Sequence, residues 1–155
     1  MEALMTKIVA DGEGPEDLGK LAETLLAELP VLFARLHPSV RIENLEGSAA
    51  RWRDEGDIFA VEYEGVEYVP TFQFRAGRPH PTIRAVLSAF PPGLTAWDRA
   101  YWFVSADPGL GDRRPYEALD DAEALVVAAR LAGARILERR RQAERSLSLH
   151  GQARA

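Results

Sequence analysis

The chain of 155 residues contains no cysteine. This absence excludes disulfides, catalytic thiols and cysteine-ligated zinc, and it fits a reducing compartment such as the cytoplasm. The N-terminal segment has neither a basic start nor a long apolar run, so we expect no signal peptide. No stretch approaches the roughly 18 uninterrupted apolar residues of a membrane span, so we expect no interaction with a membrane. The sequence therefore predicts a cytoplasmic protein.

Histidine is scarce as well. His37, His80 and His150 lie far apart, and none has a second histidine at helical spacing, so we expect no metal site. The chain has no G-x-S-x-G motif, and Ser48 and Ser105 lie at predicted helix ends rather than beside a general base. We therefore expect no cofactor, no catalytic residues and no enzymatic activity.

The net charge of −5 is unevenly distributed along the chain. Residues 130–155 carry seven arginines and two glutamates, which leaves twelve basic and twenty-two acidic residues in 1–129. An acidic body repels nucleic acid and suits a basic protein partner. The basic end could contact phosphate, or it could offset the dipole at the C-terminal end of a helix.

Prolines and glycines mark the elements of the N-terminal half. Leucines at helical spacing predict a first helix over 16–29, which begins near Pro15, and the apolar pattern continues until Pro38. A short helix is predicted over 48–57, with its end at Gly56.

The segment 58–74 has a different composition, in which β-branched and aromatic residues dominate. Glu64 and Gly65 predict the turn of a β-hairpin, and Pro70 places the second strand at a sheet edge or ends it early. A helix followed by a hairpin is the order expected of a small wing-like unit.

Helical patterns fill the C-terminal half. Helices are predicted over 82–90 and 96–105, and Thr95 and Asp98 predict a capping box at the start of the second.

Aromatic residues dominate the second of these helices. Trp97, Tyr101 and Val104 recur at helical spacing and form the predicted core stripe, which Trp102 and Phe103 widen. We expect this helix to be buried on more than one side.

A long alanine-rich helix is predicted to end the fold. It follows a short helix near Pro115, and Asp120 or Asp121 can cap it. Its apolar face is lost from Arg139 onward, so fraying and a disordered tail over 141–155 are expected. The sequence thus predicts a mainly α fold, with a C-terminal helical bundle preceded by a helical segment that contains one wing-like β-hairpin.

Two adjacent arginines, Arg113 and Arg114, lie between a glycine turn and Pro115 in the stretch "GLGDRRP". Backbone donors and arginines could bind the phosphate of an enzyme's substrate here, although the stretch lacks the preceding strand of dinucleotide folds and any Walker pattern. Alternatively, the stretch is a structural corner in which one arginine bonds carbonyls or nearby acids and the other faces a partner. The acid pairs at 54–55 and 120–121 are more typical of helix ends than of acid–base catalysis.

The segment 95–132 resembles the toxin-binding domain of the bacterial MbcA/ParS/Xre antitoxin family. The similarity extends back through 65–90, where a P-x-F-Q-F element precedes a G-R-P turn, so it spans nearly half of the chain. The matching features are the aromatic helix, the glycine–arginine turn, the following acids and the alanine-rich helix, and they include Trp102, Phe103, Pro108, Leu110, Gly111, Arg113, Arg114, Pro115 and Leu119.

This resemblance implies a role without chemistry of its own. Such antitoxins belong to type II toxin–antitoxin systems and pair with RES-domain toxins, which resemble ADP-ribosyltransferases and consume NAD. The antitoxin would lie over the NAD pocket of the toxin and deny entry to the substrate. The resemblance implies three regions: an N-terminal helical and wing-like region over 1–78, a toxin-binding helical domain over 79–140 and the basic tail over 141–155. The expected partner-binding residues are Leu110, Asp112, Arg113, Arg114 and Tyr116.

Many relatives carry an N-terminal helix-turn-helix that binds their own operator, and this sequence departs from that pattern. The candidate DNA-binding residues are Arg51 and Arg53, but Asp54, Glu55 and Asp57 follow them and oppose phosphate contacts. A homodimer that binds operator DNA weakly and regulates its own operon stays open. So does a DNA-binding transcriptional regulator without a toxin partner.

Overall fold

The computed structural model describes residues 27–45 and 47–152. The chain divides into two compact units, Met1–His37 and Pro38–Ala155. In the first unit residues 27–36 form a helix, α1. The predicted helix over 16–29 falls largely outside the described residues, as does its start at Pro15. The predicted domain boundary at 78–79 is wrong, because the second unit continues across it.

A three-stranded antiparallel sheet opens the second unit. Its strands are β1 (Ser39–Arg41), β2 (Val61–Tyr63) and β3 (Val66–Pro70), in the order β1–β3–β2. The predicted hairpin is confirmed as β2–β3, with Tyr63 opposite Val66. Its turn residues, Glu64 and Gly65, have φ angles of 50° and 77°, as a two-residue turn with two left-handed positions requires.

The third strand of this sheet, β1, is absent from the sequence-based prediction. β1 pairs with β3 through Val40 opposite Val69 and Ser39 opposite Pro70. The strand that ends in Pro70 is therefore central rather than at an edge. Pro70 is its last residue, where a missing N–H costs the ladder little.

A second, two-stranded hairpin joins the sheet to the helices. It consists of β4 (Phe74–Arg75) and β5 (Arg78–Pro79) and includes the predicted boundary at 78–79. Just before it, the fully buried Gln73 accepts a hydrogen bond from the Phe59 N–H (2.8 Å) and donates to the Phe59 carbonyl (3.0 Å). The backbone at Phe59 is irregular, and the Gln73 side-chain amide supplies the two hydrogen bonds that a neighbouring strand would otherwise provide.

The helices of the second unit are α2 (Ala49–Glu55), α3 (Pro81–Ala89), α4 (Ala96–Val104) and α5 (Ala122–Gln152). As predicted, α2 ends at Gly56, whose φ of 80° is left-handed. The capping box of Thr95 and Asp98 at the start of α4 is also confirmed. The protein is mainly α with a small antiparallel sheet, and the predicted fold class is confirmed.

The core side of α4 differs from the prediction. Trp102 and Phe103 are buried, and the Phe103 ring stacks on Phe59 at 5.6 Å between centroids. Trp97 and Tyr101 are only half-buried and stack on each other at the rim. The rim suits Trp97, because its indole N–H reaches the Glu62 carbonyl at 2.9 Å while one side of the ring stays in solvent.

Helix α5 packs an alanine-rich face on the core and then continues far beyond it. The predicted disordered tail over 141–155 is wrong for 141–152, which are helical, and the last three residues lie outside the described part. Arginine, glutamine and alanine favour helix, and Glu138 pairs with Arg141 one turn on (3.1 Å).

Arg140 ties the middle of α5 to the beginning of α4. Its guanidinium donates to the Asp98 carboxylate and to the Gly93 carbonyl. Burial by itself would raise the pKa of Asp98, but the hydrogen bonds from Arg140 and Thr95 outweigh it, and the pKa lies below its ordinary value. The carboxylate thus caps α4 and anchors α5 at once.

Candidate functional site: an arginine corner

The stretch between α4 and α5 forms a compact turn, the arginine corner (residues 107–116). Its centre is Asp107, which is 4% exposed. One carboxylate oxygen accepts from the Trp102 indole N–H at 2.9 Å and the other from the Gly109 N–H at 2.7 Å. The Arg135 guanidinium lies 3.6 Å from the same carboxylate. A buried charge is tolerated here because it is hydrogen-bonded and has a cation beside it.

The backbone of Asp107 also forms hydrogen bonds within the corner. Its N–H donates to the Arg113 carbonyl at 3.1 Å, and its carbonyl accepts from the N–H groups of Leu110 and Asp112, both at 3.0 Å. Gly111 and Asp112 have φ angles of 65° and 62°. Glycine and aspartate are among the residues that enter the left-handed region at low cost, so the sequence suits this tight turn.

The two arginines have different environments, as one of the alternatives for this stretch predicted. Arg113 donates from Nε to the Leu110 carbonyl at 3.0 Å, and its guanidinium lies 3.7 Å from the Asp121 carboxylate. Arg114 is exposed, and its side chain forms no hydrogen bond or ion pair with any residue that the structure describes. Arg113 therefore supports the corner, and Arg114 extends from it into solvent.

The other expected partner-binding residues are not equivalent either. Asp112 is exposed beside the arginines. Leu110 is 4% exposed, so its prediction as a contact residue is wrong: it fills the space beneath the corner. Tyr116 is half-buried, with its ring 5.6 Å from that of Phe72. Of the expected partner-binding residues, Asp112, Arg113 and Arg114 are thus exposed, Tyr116 is half-buried and Leu110 is buried.

The corner lacks the open donors of a phosphate loop. The Gly109 N–H is already bonded to the Asp107 carboxylate, which occupies the position an external anion would take. The two helical turns within the corner, Pro108–Leu110 and Pro115–Glu117, are three-residue 3₁₀ turns with little dipole. The geometry therefore favours a structural corner over phosphate chemistry.

The acids before α5 are both paired with arginines. Asp120 accepts from Arg75 at 2.8 Å, and this hydrogen bond holds the pKa of the Asp120 carboxyl below its ordinary value. Asp121 faces Arg113. The two carboxylates thus connect the β4–β5 hairpin and the arginine corner to the start of α5.

The two candidate DNA-binding residues are engaged with carboxylates. Arg51 donates to Glu55 at 3.2 Å. Arg53 donates to Glu67 at 2.6 Å and to Asp54 at 3.1 Å, and the bond to Glu67 is the main cause that raises the pKa of Arg53. Arg53 is occupied by two carboxylates, which weakens it as a DNA contact, whereas Arg51 keeps unused donors beside its one bond to Glu55.

Metal and membrane sites find no support in the described residues. His80 caps α3, where its Nδ1 accepts from the Thr82 N–H, and His150 bonds the Ser146 carbonyl. No group of three or more potential metal ligands occurs within 27–45 and 47–152. Among the described helices, none has the length and apolar character needed to cross a bilayer.

Asp107 is the residue of the corner that sequence reasoning missed. A local signal was present, because an aspartate directly before a proline is a typical N-cap residue of the helical turn that follows it. The signal could not show that the same carboxylate also binds Trp102, whose indole reaches it only when α4 has folded.

Comparisons with protein-family models, with curated proteins and with solved structures find no match for this chain.

Proposed function

We propose that this chain is the antitoxin of a type II toxin–antitoxin pair. In this proposal it binds a RES-type, NAD-consuming toxin in the cytoplasm through the arginine corner and covers the active site of the toxin. The chain itself would catalyse nothing. The proposal starts from the sequence resemblance over 65–132, and it depends on whether the corner can serve as a docking surface.

The observation that carries the proposal is the unpaired Arg114 on a fixed turn. Asp107 and Arg113 hold the turn through six hydrogen bonds within residues 107–113, and Pro115 restricts the backbone of Arg114, which precedes it. Docking such a surface costs little conformational entropy, because the backbone is already ordered. Arginine is among the residues most often found as interface anchors.

Asp112 adds a charge of the opposite sign next to Arg114. Both side chains are exposed, and both lie on backbone that the corner fixes. A partner with one carboxylate and one cation at the matching spacing would be recognised in a single orientation. This arrangement favours a specific protein partner over a uniform polyanion such as DNA.

A role as a DNA-binding regulator without a toxin partner has weaker support. The residues that would carry it, Arg51 and Arg53, are both bonded to carboxylates. Autoregulation could still occur in the toxin complex, and a gel-shift assay with the upstream DNA of its own operon, at low and high salt, tests it.

The proposal expects a RES-domain toxin to be encoded beside this chain, and it is tested by measuring the affinity for that toxin, with Arg114→Ala and Arg145→Ala compared. Both residues are exposed and unpaired among the described side chains. Gly109 of the corner approaches α5 at Ala128, and Arg145 lies seventeen residues further along, about 25 Å away at 1.5 Å per residue. Arg114→Ala is expected to weaken binding by about 2 kcal/mol, roughly thirtyfold, while Arg145→Ala changes it by less than twofold.

Inhibition of NAD consumption by the toxin should follow the same order as binding. An equal loss of affinity in both variants would mean that general positive charge, not the corner, drives association. The absence of any complex between the wild-type chain and the neighbouring toxin would remove the proposal altogether.

A further inference from the structure

A cavity of about 580 Å³ lies between α2, β5 and the beginning of α3. None of its lining residues belongs to the arginine corner. Its volume is within the usual range of small-ligand sites, about 300–1,000 Å³. Its lining residues include the three arginines Arg51, Arg78 and Arg84, together with Trp52 and Asp57.

The three arginines come from three different elements. Arg51 lies on α2, Arg78 on β5 and Arg84 on α3, so the fold rather than a local sequence run brings them to one cavity. The chain as a whole has a net charge of −5, whereas the residues that line this cavity include three arginines and one aspartate.

Much of the donor capacity of these arginines is unused. Each guanidinium has five N–H donors. Arg51 donates one hydrogen bond to Glu55 (3.2 Å), and Arg84 donates one to Asp57 (3.0 Å). The Arg78 side chain is exposed and makes no hydrogen bond or ion pair within the part of the chain that the structure covers. The cavity can therefore offer several charged donors to one anion.

The start of α3 does not supply this anion affinity. Pro81 has no N–H, and the Thr82 N–H already donates to Nδ1 of His80 at 3.2 Å. The attraction for an anion must come from the side chains. Three guanidinium groups suit the three terminal oxygens of a phosphate monoester better than the two of a carboxylate.

Trp52 gives the cavity an aromatic wall. One part of the indole contacts the Phe74 ring at 5.9 Å between centroids, and the residue is only half-buried. Trp52 directly follows Arg51 on α2, so an aromatic surface and a guanidinium border the same space. Nucleobases stack on such surfaces with little dependence on base identity.

We propose that this cavity binds a mononucleotide, with its phosphate held by Arg78, Arg51 and Arg84 and its base against Trp52. The site is separate from the arginine corner, and the inference does not depend on the antitoxin proposal.

Isothermal titration of the full chain with AMP, ribose 5-phosphate and adenosine separates the two contributions. We expect AMP to bind saturably, ribose 5-phosphate to bind about tenfold more weakly because it lacks the base, and adenosine to bind at least tenfold more weakly because it lacks the phosphate. If ribose 5-phosphate or adenosine binds as tightly as AMP, the assigned ligand class is wrong.

Variants locate the site. Arg78→Gln and Arg51→Gln should each weaken AMP binding by about tenfold, whereas Arg145→Gln, which removes an equally exposed charge from α5, should leave it within twofold. Thermal unfolding of each variant verifies that it is folded, and the Arg78 side chain makes no hydrogen bond or ion pair with the described residues that the substitution would remove. Equal AMP affinity in the wild type and Arg78→Gln overturns the proposal, as does the absence of saturable AMP binding.

A short single-stranded oligonucleotide distinguishes a free nucleotide from nucleic acid. We expect it to bind no more tightly than AMP, since a cavity of this volume accommodates a single nucleotide. An oligonucleotide that binds tenfold more tightly would contradict the proposal and assign the arginines to a nucleic-acid surface.

Discussion

Asp107 satisfies two structural demands with one side chain. Its carboxylate is buried, yet it accepts from a side chain of α4 and from the corner backbone. Both donors are N–H groups, so the position requires two acceptors. An amide has one acceptor and one donor group and cannot satisfy both.

We expect Asp107→Asn to destabilise the fold by about 1–3 kcal/mol, because the new NH₂ group would face either the Trp102 indole N–H or the Gly109 N–H and leave a buried donor unpaired. Urea unfolding followed by circular dichroism measures the change. Asp112→Asn is the matched control: the residue is exposed, and asparagine also tolerates its φ of 62°. A loss below 0.5 kcal/mol for Asp107→Asn, equal to that of the control, would contradict the role of Asp107.

The different environments of Arg113 and Arg114 show the limit of sequence reasoning for single residues. The sequence indicated that one arginine of the pair supports the turn and the other faces outward, but it left their identities open. The choice depends on the path of the backbone, since Arg113 reaches the Leu110 carbonyl only when Asp112 is left-handed. Leu110 was misplaced for the same reason, because the turn directs it inward.

Elements defined by local chemistry could be predicted from the sequence. The capping box at Thr95, the helix end at Gly56 and the hairpin turn at Glu64 depend on residues within a few positions of each other. The strand Ser39–Arg41 could not be predicted, because its partner Val66–Pro70 lies about thirty residues away and its own three residues carry little pattern.

The inward side of α4 also depends on distant residues. Helical spacing alone predicted that Trp97 and Tyr101 are buried in the core in the same way as Trp102 and Phe103. Distant aromatic residues decide between them: Phe103 stacks on Phe59 and Trp102 packs edge-on against Phe90, and neither partner is visible within the helix itself.

A glycine inside α5 marks where another segment comes close. A Cβ built on Gly133 would lie 2.8 Å from Cγ of Pro91 and 3.3 Å from Cδ1 of Leu94. The pyrrolidine ring of Pro91 is rigid and cannot rotate away from an added methyl group. The turn that joins α3 and α4 therefore packs against the bare backbone of α5.

We expect Gly133→Ala to destabilise the fold by about 1–2 kcal/mol. Alanine favours a helix by about 1 kcal/mol over glycine, but overpacking against a rigid ring costs about 1–3 kcal/mol and is expected to exceed that gain. Chemical denaturation measures the balance. The control is Gly151→Ala on the same helix, where the added methyl meets no atom within 4 Å. A stabilised Gly133→Ala variant would contradict the close packing of Pro91.

On the scale of the whole molecule, the second unit contains everything that the two proposals use. The arginine corner and the arginine-lined cavity both lie within Pro38–Ala155. So do fully buried apolar residues such as Val69, Ile83 and Phe103. A unit of this size is well above the roughly 60 residues at which many domains fold alone.

We therefore expect the fragment 38–155 to fold without residues 1–37 and to keep both binding activities. Its urea unfolding should be a single cooperative transition with a free energy of unfolding of about 5 kcal/mol or more, since it contains fully buried apolar residues and is of ordinary domain size. Its affinities for the toxin and for AMP should lie within threefold of those of the full chain. A fragment with native-like circular dichroism that has lost toxin binding would move the docking surface into the first unit. A fragment without a cooperative transition would show that residues 1–37 are required for the core to form.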